Sequence, residues 1–204
     1  MEETRKNYGR RANEGFFQKY CQGKGIDIGS GSCPLQVLGI DTYDLPNDAK
    51  FMQEVKNEAY DFVYSSHCLE DIDEPDVAIQ NWWRILKTGG YLILSVPHRD
   101  LFERKRSLPS HGNKNHKHFF LIDRYEYPCT IGLVPFITKN LSNQDIIYVK
   151  KCDDGYSCNI VQQENFPLGV HVVASGELSI EAVVRKSEKV IYVEDFLNLR
   201  GNQK

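Results

Sequence analysis

The sequence predicts one α/β domain with a mostly parallel sheet flanked by helices. Short β-type runs alternate with longer amphipathic stretches, as strands and crossover helices do. A glycine-rich turn, Gly29-Ser30-Gly31, comes directly after the first of those runs. No internal repeat, low-complexity tract or Pro/Gly/Ser-rich linker marks a boundary within the 204 residues, a length that suits a single domain with a sizeable core.

Taken in order, residues 1–22 are expected to form a helical lead-in, and Gly25-Ile26-Asp27-Ile28 a first strand. Val37 to Asp41 reads as the second strand, Ala49 to Met52 as a short third, and Asp61-Phe62-Val63-Tyr64-Ser65 as a buried fourth. From Pro75 to Leu86, the residues Val77, Ile79, Trp82, Trp83 and Leu86 recur at helical spacings, which assigns both tryptophans to the core. Lys87-Thr88-Gly89-Gly90 supplies a basic last turn and a glycine stop, a structural role outside any site. Tyr91 to Val96 is the fifth strand, closed by Pro97. Residues 99–127 begin with a polar, charged stretch and are expected to be a loop or lid on the substrate side. Ile146 to Val149 and Leu178 to Val184 read as two more strands, and Asp153-Asp154-Gly155-Tyr156 as a turn between β segments. For Val190 to Leu199 strand and helix both stay open.

Composition excludes several classes. A hydrophobic fraction of 41% with 26% charged residues argues against disordered and fibrous chains. No apolar run reaches membrane-spanning length, and the opening Met-Glu-Glu-Thr-Arg lacks the apolar segment of a secretory leader, so a cytoplasmic location is expected. The six cysteines are scattered without a C-x-x-C pair, the pattern of free thiols rather than of zinc or disulfides. A net charge of -3 gives no general attraction for nucleic acid.

A G-x-G turn after a strand lets a ligand touch backbone that a Cβ would block, and dinucleotide-binding proteins share it. The succession of motifs along the chain is more specific. Ile26-Asp27-Ile28-Gly29-Ser30-Gly31, Gly39-Ile40-Asp41, Asp61 to Glu70, and Arg84-Ile85-Leu86-Lys87-Thr88-Gly89-Gly90-Tyr91-Leu92 resemble the consecutive motifs of class I S-adenosylmethionine-dependent methyltransferases over roughly residues 15 to 120. Gly15 to Cys21, Val96 to Phe102 and His116 to Phe120 are similar to methyltransferases of polysaccharide and O-antigen biosynthesis.

The resemblance implies a Rossmann-like fold with a mostly parallel seven-stranded sheet, S-adenosylmethionine as cofactor and S-adenosylhomocysteine as product. It implies cofactor contacts at Asp27, Ile28, Gly29, Ser30 and Gly31, ribose contacts at Asp41 and Thr42, and adenine neighbours at Gln53 or Val55. Ser66 and His67 would lie beneath the sulfonium. Cys33 and Pro34 stand where many members have a third glycine, and the short stretch between the first two strands leaves Asp44 as the fallback for Asp41.

The sulfonium already activates the methyl, so a hydroxyl acceptor mainly adds the need for a base, a role that suits histidine. His67, His98, His111, His116 and His118 fall near the carboxyl ends of strands, where open α/β sheets carry their sites. His98 or His118 is the leading base, oriented by Asp100 or Asp123, with His67 a third candidate. Arg99, His116 and His118 are the expected acceptor contacts, and the cationic segment points to a small-molecule or glycan acceptor, including anionic ones. No metal is expected, because Mg²⁺ prefers oxygen ligands to a histidine cluster. The expected function is O-methylation of a sugar or glycan. The rivals are a small-molecule or N-methyltransferase, a non-catalytic cofactor-binding partner subunit, a nicotinamide-dependent oxidoreductase and a nucleic-acid methyltransferase. The sequence leaves the oligomeric state open.

Overall fold

In the computed structural model, which describes residues 2–162 and 170–188, the chain opens with helices α1 (Glu2–Asn13) and α2 (Phe16–Tyr20). Strands β1 (Gly25–Ile28), β2 (Ile40–Tyr43) and β3 (Tyr60–Ser66) come next, then a 3-10 turn at Leu69–Asp71. They lead into α3 (Pro75–Ile85), β4 (Leu86–Pro97), α4 (Arg99–Phe102), β5 (Phe119–Leu121), β6 (Thr130–Gly132) and α5 (Leu133–Asn140). The last elements are β7 (Gln144–Cys152), β8 (Ser157–Gln162), β9 (Val170–Ser175) and β10 (Ser179–Lys186).

The main sheet has the order β2-β1-β3-β4-β10-β7, with β1 to β4 mutually parallel and β10 antiparallel between β4 and β7. Among the described residues it therefore holds six strands rather than seven. The expected third strand at Ala49 to Met52 is a run of turns instead. Its polar groups are satisfied without a ladder. The Asp48 carboxylate accepts from Lys50 N–H at 2.8 Å, while Trp82 Nε1 and Asn81 Nδ2 donate to the carbonyls of Ala49 and Lys50 at 2.8 and 3.0 Å.

Helices α3 and α5 cover one face of the sheet, packing Ile79, Trp82 and Phe136 onto Ile26, Val63 and Leu92. Both tryptophans are buried. No helix forms between β1 and β2, and the other face is closed by Phe16, Phe17 and Tyr20 of α2 over Phe62, Tyr64, Ile93 and Val183. Buried Arg11 of α1 pairs with Glu181 of β10 and donates to Tyr64 Oη at 2.7 Å.

Two sequence boundaries move. The second strand is Ile40–Tyr43 rather than Val37 to Asp41, because the Gly39 turn at φ 74° delays pairing until Gly25 meets Ile40. Helix α3 ends at Ile85, and residues 87–90 then bulge between the Tyr60–Leu86 and Phe62–Tyr91 pairs. Residues 99–127 are only partly loop, since α4 and buried β5 lie within them. The Asp153 carbonyl accepts from Tyr156 N–H at 3.0 Å with Gly155 at φ 67°, forming the anticipated turn from β7 into the β8–β9 hairpin. Val190 to Leu199 lies outside the described residues. No helix among the described residues is long and apolar enough to cross a membrane.

Candidate functional site

The carboxyl end of β1 turns sharply at Gly29 and Gly31, with φ 75° and 53°, where side chains are disfavoured. Gly29 N–H donates to the Tyr43 carbonyl at 2.8 Å, tying the turn to the end of β2. Asp27 beneath it is buried, and its Oδ2 accepts from Leu35 N–H at 2.8 Å. Its Oδ1 is buried with no hydrogen-bond partner among the described residues. Burial pushes this carboxyl up to about 6, against the Leu35 hydrogen bond and with a further push from Asp44.

A cavity of about 640 Å³ opens at this edge of the sheet, lined by Gly29, Tyr43, Asp44, His67, Asp71 and Lys117 among others. That volume suits a cofactor-sized ligand. The residues at hand fit an adenosyl-sulfonium group in three respects: a turn where a Cβ is excluded, a buried carboxylate oxygen left without a partner, and a second carboxylate past the next strand.

That second carboxylate is Asp44, not Asp41. Because Ile28 pairs with Tyr43, the chain leaves the sheet just before Asp44. Asp41 lies mid-strand, exposed, accepting from Tyr60 Oη at 2.9 Å and facing Lys24 Nζ at 3.1 Å. Thr42 beside it is exposed. Gln53 and Val55 do not line the cavity either: Gln53 is exposed, and Val55 packs against the core while its carbonyl accepts from Arg84 at 2.7 Å. The turns at Leu45 to Lys50 line the cavity in their stead. Ile28 is fully buried, Ser30 half-buried, and Ser66 buried at the end of β3.

His67 adopts φ 54°, an uncommon conformation for a residue with a side chain, and its N–H donates to the Ser95 carbonyl at 2.8 Å. Its Nδ1 faces Glu70 Oε1 at 3.4 Å, and its Nε2 is closed off from solvent without a partner. Buried His116 bonds through Nδ1 to Glu103 at 2.5 Å and lies with Nε2 3.9 Å from Glu70. Burial opposes its charged form, but the Glu103 hydrogen bond and the charges of Glu70, Glu103 and Asp71 outweigh it and raise the imidazole above its ordinary value. His116 is thus an internal tie rather than an acceptor contact.

The two leading bases are also occupied. His98 caps α4, its Nδ1 accepting from Asp100 N–H at 3.2 Å, and burial lowers its titration. The Asp100 carboxylate pairs instead with Arg99, and Asp123 with Arg124. Asp100 thus holds His98 through its backbone N–H and not through its carboxylate. His118 Nε2 meets the Asp73 carbonyl at 3.3 Å. Neither His98 nor His118 lines the cavity. Arg99 is buried between Asp100, Glu126 and Thr130, so its guanidinium is spent on tertiary structure. Among the described residues no cluster of three or more His, Cys, Asp or Glu side chains is arranged for a metal ion.

Asp71 also lines the cavity, a placement that the sequence motifs do not single out; the adjacent acids Glu70-Asp71 in the turn beyond a buried strand are the available signal.

Residues 13–127 match the family model described as a methyltransferase domain. No curated protein matches the sequence. Among solved structures, the chain resembles a Haloferax volcanii complex of a methyltransferase activator with a methyltransferase at 9% identity, covering 94% of each chain with a TM-score of 0.53. A structure concerned with converting a disulfide bond into a thioacetal group in echinomycin biosynthesis matches at 11% identity, covering 97% of this chain and 87% of that one, with a TM-score of 0.51. A Bacillus halodurans protein described as a methyltransferase matches at 10% identity, covering 81% and 93%, with a TM-score of 0.50. At these identities the likeness is one of fold.

Proposed function

The chain belongs to the methyltransferase-domain family, with S-adenosylmethionine as methyl donor, and from this premise we propose that it methylates a hydroxyl of a sugar or glycan. The observation that carries the reading is the cavity at the carboxyl ends of β1, β2 and β3, with Gly29 on one side and Asp44 on another. In this reading Gly29 and Gly31 offer backbone to the amino-acid end of the cofactor. The free Oδ1 of Asp27 accepts from its ammonium, and Asp44 accepts from the ribose hydroxyls. When bound, the cofactor supplies an electrophilic methyl on a sulfonium; the chain's own work is alignment, exclusion of water and handling of the acceptor's proton.

The acceptor assignment is supported by two features. Lys114, Asn115 and Lys117 bring polar and cationic groups to the cavity wall, suited to a hydroxylated and even anionic acceptor. The segments Gly15 to Cys21, Val96 to Phe102 and His116 to Phe120 resemble those of polysaccharide and O-antigen methyltransferases.

Calorimetry with S-adenosylhomocysteine, then a screen of sugars, nucleotide sugars and amines with methyl-labelled donor, tests the proposal. Binding of the homocysteine product and labelling of a sugar hydroxyl are expected. Labelling of amines alone would replace O- by N-methylation, and binding without any turnover would favour a partner subunit. Heat from a pyridine dinucleotide in place of the homocysteine product would overturn the cofactor assignment.

A further inference from the structure

We infer that Asp71 is the catalytic base, taking the acceptor's hydroxyl proton inside the cavity; the inference rests on the O-methylation reading. The 3-10 turn after β3 gives two successive carboxylates different surroundings. Glu70 turns inward to 1% exposure, and its carbonyl accepts from Lys117 N–H at 2.7 Å. Asp71 stays half-buried and lines the cavity with Gly29, His67 and Cys68.

The competing groups are unsuited. His67 Nδ1 faces Glu70 Oε1 at 3.4 Å, and His116 is held by Glu103 and lies near Glu70. Burial pushes the Cys68 thiol up to about 12, so it stays protonated near neutrality. Asp73 is 76% exposed and its carboxylate already faces Lys117 Nζ at 3.6 Å.

Asp71 is different because every element around it contributes. Its Oδ1 is buried without a hydrogen-bond partner among the described residues. Burial and the adjacent Glu70 charge raise the carboxyl to about 6, while His116, His67 and a hydrogen bond from Asn113 hold it below what burial alone would give. A base titrating just under neutrality is ionised when needed and still draws a proton effectively.

The step balances without a further reactant. The acceptor oxygen bonds to the methyl carbon as its proton passes to an Asp71 oxygen, the carbon–sulfur bond breaks with its electron pair kept on sulfur, and Asp71 then yields the proton to solvent.

Two measurements decide it. In the full chain saturated with S-adenosylhomocysteine and labelled with carboxyl-¹³C aspartate, the resonance lost in Asp71→Asn should titrate near 6. Titration among ordinary carboxylates, about 3.9, would overturn the inference. On a panel of nucleoside-diphosphate sugars, sugar phosphates and uronic acids, Asp71→Asn should lower kcat by about 10²–10⁴-fold with affinity for S-adenosylhomocysteine unchanged. Asp71→Glu should keep part of the rate and move the acid limb of the pH profile. A wild-type rate in Asp71→Asn overturns the inference. A panel on which the wild type is itself inert counts against the sugar reading alone, and the titration then decides Asp71.

Discussion

A Cβ added at Gly29 would fall 2.5 Å from Cβ and 2.6 Å from Sγ of Cys68, because the turns after neighbouring strands β1 and β3 touch there. The glycine thus serves packing as well as ligand approach. Gly29→Ala also places a side chain at φ 75°, which adds roughly 1–2 kcal/mol of strain. Calorimetry with S-adenosylhomocysteine should show affinity falling by about tenfold or more. Because the clash involves both side-chain atoms, Cys68→Gly should restore part of that loss in the double variant and Cys68→Ala should not. Equal rescue by both would show that the contact is not the cause.

Asp44 and Asp41 separate two registers of the same motif. Losing a charge-assisted hydrogen bond to a ligand costs about 1.5–3 kcal/mol, so Asp44→Asn should weaken cofactor affinity by roughly 10- to 100-fold. Asp41→Asn should leave it within about twofold, since that carboxylate is engaged with Tyr60 and Lys24. The reverse ranking would return the ribose contact to the mid-strand residue.

Strands β1, β3, β4, β7 and β10, helix α3 and the glycine turn were legible because each stems from periodicity or from a conformation only glycine adopts readily, whereas β5, β6, β8 and β9 carried no such signal and Ala49 to Met52 formed turns. Strand β2 slipped because Val37 and Leu38 look like strand residues, yet Leu38 is 96% exposed and pairing waits for the Gly39 turn. That slip moved the carboxylate at the cavity from Asp41 to Asp44. The histidines misled for another reason. Their position after strands is visible in the sequence, but whether an imidazole faces a cavity depends on partners distant in the chain. Glu103 holds His116, and Glu70 faces His67 from the turn beyond it. Arg99 was hidden likewise by Glu126 and Thr130.

Asp27 gives a pH prediction with a definite sign. Its carboxyl is raised from 3.8 to about 6, so its protonated form is the one that suits the fold. The associated stability is present below its unfolded value and lost as pH rises through about 6. Asp27→Asn keeps an acceptor for Leu35 N–H and removes the buried charge. Relative to wild type it should be more stable at pH 8 than at pH 5, by about 1.4 kcal/mol, since roughly one unit of the shift lies between pH 5 and about 6 and each unit is worth about 1.36 kcal/mol. Its affinity for S-adenosylhomocysteine should fall at the same time. Urea denaturation at the two pH values checks the sign, and a parallel pair of curves would refute it.

Arg11 tests how the sheet face left without a crossover helix is held. Its guanidinium, 1% exposed, reaches Glu181 at 0% and Tyr64 Oη, while Tyr148 Oη donates to the same Glu181 at 2.6 Å. Glu181 is held below its ordinary value although burial pushes the other way, with Arg11 the first of the groups that offset it. Removing one partner of a buried ion pair leaves an uncompensated charge and costs about 3–5 kcal/mol, so Arg11→Met should destabilise by that order. Arg10 still reaches Glu181 at 3.3 Å, which favours the lower end. Replacing both partners, as in Arg11→Met with Glu181→Leu, exchanges the pair for apolar packing against Phe16 and Tyr64 and should recover part of the loss, because Tyr148 Oη and Arg10 then lose Glu181 and Tyr64 Oη loses Arg11. Urea midpoints measure both variants. Cofactor affinity in the double variant should match wild type, since neither residue lines the Gly29 cavity. A single variant as stable as wild type would mean that Arg10 and Tyr148 alone suffice to hold the Glu181 charge.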